Sequence, residues 1–202
     1  MLKIGITGGI GSGKTTVAKI FELLQVPVYY ADAASKRLYE TDASLRERII
    51  QEFGKEIYSG NRLNKAALAQ IVFSDPAKLA LLNSLVHPLT ITDARNWMNQ
   101  QKTTYVLKEA ALIFESGSAE GLDYVIGVAA PAALRIHRAL QRDGVSREEV
   151  QNRMSRQINE GIKMRLCDFI IHNNEQQLVI PQVLKLHEFL LKKAQEKSMQ
   201  LL

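Results

Sequence analysis

Eight residues near the start of the chain have the spacing of a phosphate-binding loop. Gly8–Thr15 has the sequence GGIGSGKT, which fits the pattern G-x-x-x-x-G-K-[ST] of nucleotide-binding enzymes. In such a loop, backbone N–H groups surround the phosphates, and glycines adopt positive φ angles without steric cost. We expect Lys14 to reach the β- and γ-phosphates and the Thr15 hydroxyl to coordinate Mg²⁺.

A carboxylate that could act on an acceptor hydroxyl follows the next apolar run of the chain. Asp32 comes directly after Val26–Ala31, so we expect it at the carboxyl end of a strand. In open α/β sheets that edge forms the ligand crevice. Orientation of the hydroxyl matters more than basicity there, because the proton leaves late in a loose phosphoryl-transfer transition state. Asp32 could also cap the following helix, and the two roles are compatible.

Two arginines are spaced to contact a migrating phosphoryl group. Arg138 and Arg142 are four residues apart and therefore share one face of a predicted helix. Guanidinium groups bind phosphate oxygens in a bidentate manner. The alternative is a solvated basic face without a catalytic role.

The elements that must position these residues follow an alternating pattern. Apolar runs predict five strands, and helical patterns separate them: Leu2–Thr7, Val26–Tyr30, Tyr105–Leu107, Tyr124–Ala129 and Phe169–His172. This alternation predicts an α/β fold of the P-loop NTPase type, with a parallel sheet flanked by helices. A helix is expected directly after the glycine loop, so that its N-terminus faces the phosphates.

About seventy residues separate the second and third predicted strands, and their pattern is helical throughout. Asp42 is placed to cap a helix that ends at Gly54, and Asp75-Pro76 begins another that Pro88 is expected to interrupt. We therefore predict an inserted helical lobe that supplies the walls for a second substrate.

An arginine-rich region follows the fourth predicted strand. One helix is expected from Pro131 to Arg142, and a capping box at Ser146–Glu149 opens a second that reaches about Ile158. We interpret this pair as a mobile lid. The predicted single domain thus has a core (about 1–32, 103–130 and 166–202), a substrate lobe (about 33–102) and a lid (about 131–165). A last helix, 177–197, should dock on the sheet through apolar positions that include Leu184, Phe189 and Leu191.

Composition narrows the classes of partner. The formal net charge is +5, from 26 Lys and Arg against 21 Asp and Glu, which suits ligands with several phosphates. The basic residues form no dense run and accompany no recognition motif, so we expect no nucleic-acid partner. No apolar run is long enough to cross a bilayer, and the lone Cys167 excludes an internal disulfide. We expect a cytoplasmic protein, and the oligomeric state stays open.

Other P-loop classes fit less well. A switch GTPase needs a D-x-x-G motif, and none of the aspartates is followed by Gly three positions later. A motor ATPase usually has an apolar strand that ends in a Walker-B aspartate, whereas Tyr124–Ala129 is followed by Ala130-Pro131.

Further motifs resemble those of the dephospho-CoA kinase family over nearly the whole chain. They are GGIGSGKTT (Gly8–Thr16), Ala31-Asp32, Leu85–Pro88, Ala111–Glu115, Arg138 with Arg142, Gln157, and the stretch from Asp168 to Asn174. The resemblance implies transfer of the γ-phosphoryl of ATP to the ribose 3′-hydroxyl of dephospho-CoA, the last step of coenzyme A synthesis. It also implies Mg²⁺ as a cofactor, and ATP and dephospho-CoA as small-molecule partners.

The resemblance also implies roles for individual residues. Asp32 would address the ribose hydroxyl, and Lys14, Arg138 and Arg142 would act in catalysis. His87 and Glu115 match two further motif positions, which we place with the substrate-binding residues. The ATP site would contain Gly9, Ile10, Gly11, Ser12, Gly13, Lys14, Thr15, Thr16 and, near the adenine, Asn173.

This chain departs from the family pattern at four places, of which Thr15-Thr16 in place of Ser-Thr keeps the hydroxyl. Tyr30 stands where many relatives have a first Asp, so only Asp32 is a candidate carboxylate there. Ala111 replaces a Pro, which affects the local backbone shape rather than the chemistry. Lys108-Glu109 puts charge after the third predicted strand, so we expect that strand to end early.

Two other functions stay open at this point. A nucleoside or nucleotide monophosphate kinase would share the P-loop and the arginine lid and differ in its acceptor. A nucleotide-dependent regulatory module that binds RNA would bind nucleotide without acceptor turnover, and salt would weaken its RNA affinity.

Overall fold

The computed structural model describes residues 1–200, which divide into two compact units. The first combines Met1–Tyr30 with the chain from Gln100 onward, and the second is Ala31–Asn99. In chain order the strands are β1 Leu2–Thr7, β2 Val28–Tyr30, β3 Tyr58–Ser59, β4 Arg62–Leu63, β5 Tyr105–Glu109, β6 Tyr124–Ala129 and β7 Phe169–His172. The helices are α1 Lys14–Leu23, α2 Ala31–Thr41, α3 Ala43–Phe53, α4 Lys65–Ser74, α5 Pro76–Gln100, α6 Ala132–Asp143, α7 Arg147–Ser155, α8 Glu160–Arg165 and α9 Val179–Met199.

The first unit contains a five-stranded parallel sheet in the order β2-β5-β1-β6-β7. The register places Ile6 of β1 beside Glu109 of β5 and beside Ile126 of β6. The carboxyl ends of the central strands therefore meet at one edge, where the glycine loop leaves β1. The five predicted strands and the predicted α/β fold are confirmed.

Helices cover the sheet and bury its apolar side chains. Ile4 and Ile6 of β1 and Val17 and Phe21 of α1 are completely buried in one core. The C-terminal helix, α9, docks as predicted, and its buried contacts are Val183, Leu186, Leu190 and Ala194. Of the predicted positions, Leu191 packs against this core while partly exposed, and the ring centroid of Phe189 lies 5.3 Å from that of Phe169 on β7. Leu184 is 42% exposed, because the 3.6-residue period turns it away from the helix's buried stripe.

The second unit is a helical lobe with its own core. Asp42 caps α3 by accepting a hydrogen bond from the N–H of Leu45, and Leu45, Ile49 and Phe53 on that helix are buried. The prediction of helix throughout was wrong at β3 and β4, which form a short antiparallel hairpin. Gly60 lies in its turn at φ 60°, a conformation that glycine adopts without strain.

The expected interruption at Pro88 was also wrong, because α5 continues through it to Gln100. Proline removes one backbone N–H donor, but packing on both sides holds the helix together. Leu85 and Val86 before it, and Thr90 and Ala94 after it, are buried. Thr90, one turn after Val86, also donates from its hydroxyl to the carbonyl of that residue.

Strand β5 extends through the two charged residues at which it was expected to end. Lys108 and Glu109 are only 3% and 5% exposed. The Lys108 ammonium donates to the carbonyl of Ser118 at 3.3 Å, and burial lowers its pKa to about 8. The sequence analysis missed this because the partner lies in a loop ten residues away.

The buried ammonium predicts a specific pH dependence of stability. Since the folded-state pKa of Lys108 lies below the unfolded value, the unfolded chain binds the extra proton between about pH 8 and 10.5, and stability rises with pH there. Lys108→Met should remove this rise and stabilise the protein at pH 7 by about 2–3 kcal/mol. Urea unfolding at pH 7 to 10 measures it, with the exposed Lys102→Met as control. Equal pH slopes for wild type and Lys108→Met would contradict the assignment.

Candidate active site

The glycine loop connects the end of β1 to the start of α1. Gly11 and Gly13 have φ angles of 76° and 91°, and the N–H of Ser12 donates to the carbonyl of Gly9 at 3.1 Å. Gly13 is the N-cap of α1, and within residues 1–200 no side chain caps this helix start. The first-turn N–H groups of α1 therefore suit an anion, which the helix dipole also favours.

Neighbouring groups pack directly against two of the loop glycines, so a side chain larger than hydrogen does not fit at these positions. A Cβ atom added at Gly11 would clash with the backbone carbonyl of Arg135, and one at Gly13 would clash with the side-chain amide of Asn173. Asn173 also donates from Nδ2 to the carbonyl of Ser12 at 2.9 Å. The loop thus has a fixed shape that requires its glycines.

Glu109 is a functional candidate that the sequence analysis missed. It ends β5, directly beside β1, and its Oε1 lies 3.9 Å from the Nζ of Lys14. A Walker-B carboxylate occupies such a place, but the sequence analysis sought it only after Tyr124–Ala129. The signal was a carboxylate at the end of the apolar run that begins at Tyr105.

The donor set here fits Mg²⁺. The hydroxyl of Thr15 and the carboxylate of Glu109 are hard oxygen ligands, and Thr15 is exposed at the start of α1. Residues 1–200 contain no group of three or more His, Cys, Asp or Glu side chains that could enclose a metal by themselves. That is typical of Mg²⁺ sites in which nucleotide phosphates and water supply most of the ligands.

The two predicted lid arginines lie on α6 but have different partners. Arg138 donates to the backbone carbonyl of Asn173 at 3.1 Å and to Glu175 at 3.1 Å. Arg142 forms a bidentate pair with Asp143, at 2.7 and 3.0 Å, and its side chain is 63% exposed. The structure therefore links Arg138 to the glycine loop through Asn173, whereas Arg142 pairs with the neighbouring Asp143.

The connection between α7 and α8 holds the outer side of the glycine loop. The capping box of Ser146 and Glu149 is confirmed, but α7 ends at Ser155 rather than near Ile158. Gln157, in the irregular segment that follows, accepts the N–H of Ile10 at 3.1 Å. Glu160 accepts the N–H of Gly9 at a longer 3.5 Å and pairs with the buried Arg135 at 3.2 Å.

Glu115 forms an ion pair that lies beneath this connection. Its Oε1 is 2.7 Å from the Nζ of Lys163, which is completely buried, and it also accepts the N–H of Ile158 at 3.0 Å. Lys163 donates further to the carbonyl of Ala111 at 2.9 Å. Proline would offer the same carbonyl, so the replacement by Ala111 keeps this acceptor. Sequence reasoning missed Lys163 because its partner is 48 residues away.

Asp32 and His87 belong to the second unit. Asp32 is exposed in the first turn of α2, which begins at Ala31 immediately after β2. His87 precedes Pro88 on α5, and burial lowers its pKa.

In the first unit, Tyr30 replaces an acidic residue of the family pattern and donates its hydroxyl to Glu22 of α1 at 2.9 Å. This bond ties the end of β2 to α1.

The tight packing around the loop makes a prediction about its glycines. Gly11→Ala should weaken Mg-ATP binding more than 10-fold, since the new methyl displaces the loop from Arg135. Gly117→Ala is the matched control: φ is also positive, at 68°, but a Cβ there meets nothing within 4 Å. Both variants should lose about 1 kcal/mol of stability from backbone strain. Titration calorimetry with Mg-ATP decides, and equal affinities for both variants would contradict the account.

Comparison with known proteins agrees with this geometry. The family model described as dephospho-CoA kinase matches residues 2–178. A dephospho-CoA kinase of Bacteroides fragilis is 37% identical, over 95% of this chain and 94% of its own length. One of Chlorobium chlorochromatii is 36% identical, with 96% and 95% covered.

Solved structures show the same similarity. The crystal structure of TT1252 from Thermus thermophilus has a TM-score of 0.80 at 35% identity, covering 91% of this chain and 94% of that one. Dephospho-CoA kinase from Campylobacter jejuni has a TM-score of 0.70 at 25% identity, with 95% and 98% covered. A shikimate kinase from Bacteroides thetaiotaomicron, 15% identical with a TM-score of 0.56, shares the fold. With its glycine loop, sheet and family match, the chain belongs to the dephospho-CoA kinase family and is an ATP-dependent kinase of coenzyme A synthesis.

Proposed function

We propose that this chain transfers the γ-phosphoryl of ATP to the ribose 3′-hydroxyl of dephospho-CoA, with the glycine loop holding ATP and Asp32 addressing the hydroxyl. The observation that carries the proposal is the loop at the start of α1, with Lys14 3.9 Å from Glu109. A polyphosphate would find backbone donors, a lysine and a carboxylate for its metal ion at one edge of the sheet. ATP would lie along Gly9, Ile10, Gly11, Ser12, Gly13, Lys14, Thr15 and Thr16.

Charge neutralisation is the main task of this site. Thr15 would coordinate Mg²⁺ directly, and Glu109 would orient water bound to the ion while Lys14 turns to the β- and γ-phosphates. When bound, Mg²⁺ would act as a Lewis acid that neutralises negative charge on the phosphate oxygens. The short chain distance from Lys14 to Thr15 keeps cation and metal ligand on the same side of the nucleotide.

Asp32 is our candidate for the acceptor side. It is exposed and follows β2 directly, so its carboxylate is accessible to a substrate. A carboxylate there would align the ribose hydroxyl for in-line attack and accept its proton late in the transfer. His87, on the same unit, is proposed to bind part of the acceptor.

The region 131–165 is proposed to act as the lid, with Arg138 and Arg142 supplied from α6. Both guanidinium groups have carboxylate partners, Glu175 and Asp143, which ATP phosphates would replace. Because Gln157 and Glu160 already contact the glycine loop, closure would be limited to the outer part of this region, where Arg142 is exposed, and would exclude water that otherwise hydrolyses ATP. Asn173 would support the nucleotide near its adenine while it holds the loop carbonyl of Ser12.

Glu115 changes its proposed role in view of its contacts. Sequence similarity placed it with the substrate-binding residues, but its pairing with Lys163 and the N–H of Ile158 supports a role in holding the lid connection. Its contacts favour this positioning role over direct contact with the acceptor.

No helix of residues 1–200 is both long and apolar enough to span a membrane. We propose a cytoplasmic enzyme whose partners are these small molecules and not nucleic acid.

Asp32→Asn tests the assignment on the acceptor side. The amide keeps the shape of the carboxylate but cannot take the proton, so kcat for CoA formation should fall roughly 10²–10⁴-fold. The dissociation constant of Mg-ATP should stay within about twofold, because the glycine loop is unchanged. Product formation by mass spectrometry and ATP binding by calorimetry measure the two effects. Turnover close to that of wild type would overturn the role of Asp32.

A further inference from the structure

We propose that Gln157 is a positioning residue for ATP: with Glu115, Ile158 and Lys163 it forms a loop brace that holds the glycine loop in its phosphate-binding shape. The inference rests on the proposed function, since it concerns the same nucleotide site. The loop brace does not touch the reacting atoms. It positions the backbone of the glycine loop, whose N–H groups would bind the phosphates.

Gln157 contacts the glycine loop at a residue that lies between two glycines. Ile10 lies between Gly9 and Gly11, and glycines lose more conformational entropy on ordering than any other residue. Gln157 accepts the N–H of Ile10 at 3.1 Å and so fixes the peptide between two permissive positions. If the loop is already ordered in the free enzyme, less conformational entropy is lost when ATP binds.

Gln157 can hold the loop only if its own backbone is fixed, and the next residue supplies that anchor. The N–H of Ile158 donates to Glu115 at 3.0 Å, and Glu115 pairs with Lys163 at 2.7 Å. Lys163 is completely buried and also donates to the carbonyl of Ala111. A buried, hydrogen-bonded pair of this kind is costly to break, so the anchor is rigid.

The anchor leads back to the strand that carries the metal-site carboxylate. Ala111 and Glu115 lie in the segment after β5, which ends at Glu109. Thr7, the last residue of β1, also donates its hydroxyl to the carbonyl of Ala111, at 3.3 Å. The segment around Ala111 therefore joins the end of β1, the end of β5 and the buried Lys163. The lid connection and the glycine loop are fixed to a common point.

Glu160 reinforces the loop brace from α8. Its carboxylate accepts the N–H of Gly9 at 3.5 Å and is held by Arg135, whose backbone packs against Gly11. The 3.5 Å contact is at the limit of a hydrogen bond, so Gln157 makes the stronger of the two contacts with the loop. Both contacts come from the same four-residue stretch of the chain, Gln157 to Glu160.

The test removes the acceptor atom of Gln157 and keeps its length. Gln157→Met should raise the dissociation constant of Mg-ATP about 10-fold, the loss expected for one hydrogen bond that preorganises a site. The dissociation constant of dephospho-CoA should change less than about twofold, because the loop brace holds only the nucleotide loop. Gln151→Met, at an exposed position of α7, is the matched control and should bind both ligands as wild type does.

Calorimetry with each ligand and thermal unfolding separate the outcomes. Selective loss of ATP affinity with an unchanged Tm supports the loop brace. Unchanged ATP affinity, or equal weakening for ATP and dephospho-CoA as in a general loss of structure, overturns it. Gln157→Asn keeps the amide but is one methylene shorter, so it should also raise the dissociation constant of Mg-ATP.

The proposed function can fail separately from the loop brace. A wild-type enzyme that forms no CoA from ATP and dephospho-CoA would contradict the proposed function. An active wild type whose Gln157→Met variant binds ATP normally would overturn the loop brace alone.

Discussion

A glycine-rich loop must hold one shape before its ligand arrives, and most of the first unit serves that constraint. Glycines give the loop the positive φ angles it needs, but they also make it costly to order. Asn173 holds the carbonyl of Ser12, Gln157 holds the N–H of Ile10, and the backbone of Arg135 packs against Gly11. The contact of Asn173 comes directly after the end of β7, where a parallel sheet gathers its strand ends at one edge, and the other two come from the α7–α8 connection and from α6.

Local patterns predicted those parts of the structure whose signal is contained in a few neighbouring residues. Four predicted strands have the observed carboxyl ends, since each is a short run of mostly apolar residues, and the central strands β1 and β6 are buried on both faces. The glycine loop and the capping box at Ser146 were equally local. The β3–β4 hairpin was missed because two-residue strands carry no periodicity.

The residues that were missed have partners far away in the chain. Lys108 was predicted to follow the end of a strand, because a lysine can be buried there only if an acceptor such as the carbonyl of Ser118 is in place. Lys163 looked like one of many surface cations until Glu115 was found beside it. Glu109 is similar, since its importance comes from the register that puts β5 next to β1. Tertiary pairing decides such positions, and no local pattern contains it.

The pairing of charges also explains how a basic chain serves a small-molecule site. The net charge is +5, but cations of the arginine-rich region have carboxylate partners: Arg135 with Glu160, Arg138 with Glu175, Arg142 and Arg153 with Asp143, and Lys163 with Glu115. A nucleic-acid surface would instead offer its cations to solvent along a continuous face. In the proposed function, the paired basic residues order the site and supply charge where phosphates enter.

Acceptor-dependent ADP release is the most direct measurement of the central claim. A coupled assay with ATP and Mg²⁺ would compare dephospho-CoA, adenosine, AMP, CMP and no acceptor. The account predicts turnover with dephospho-CoA alone, and a product with the mass of CoA. Turnover with a monophosphate in place of dephospho-CoA, or ATP hydrolysis that is independent of any acceptor, would contradict it.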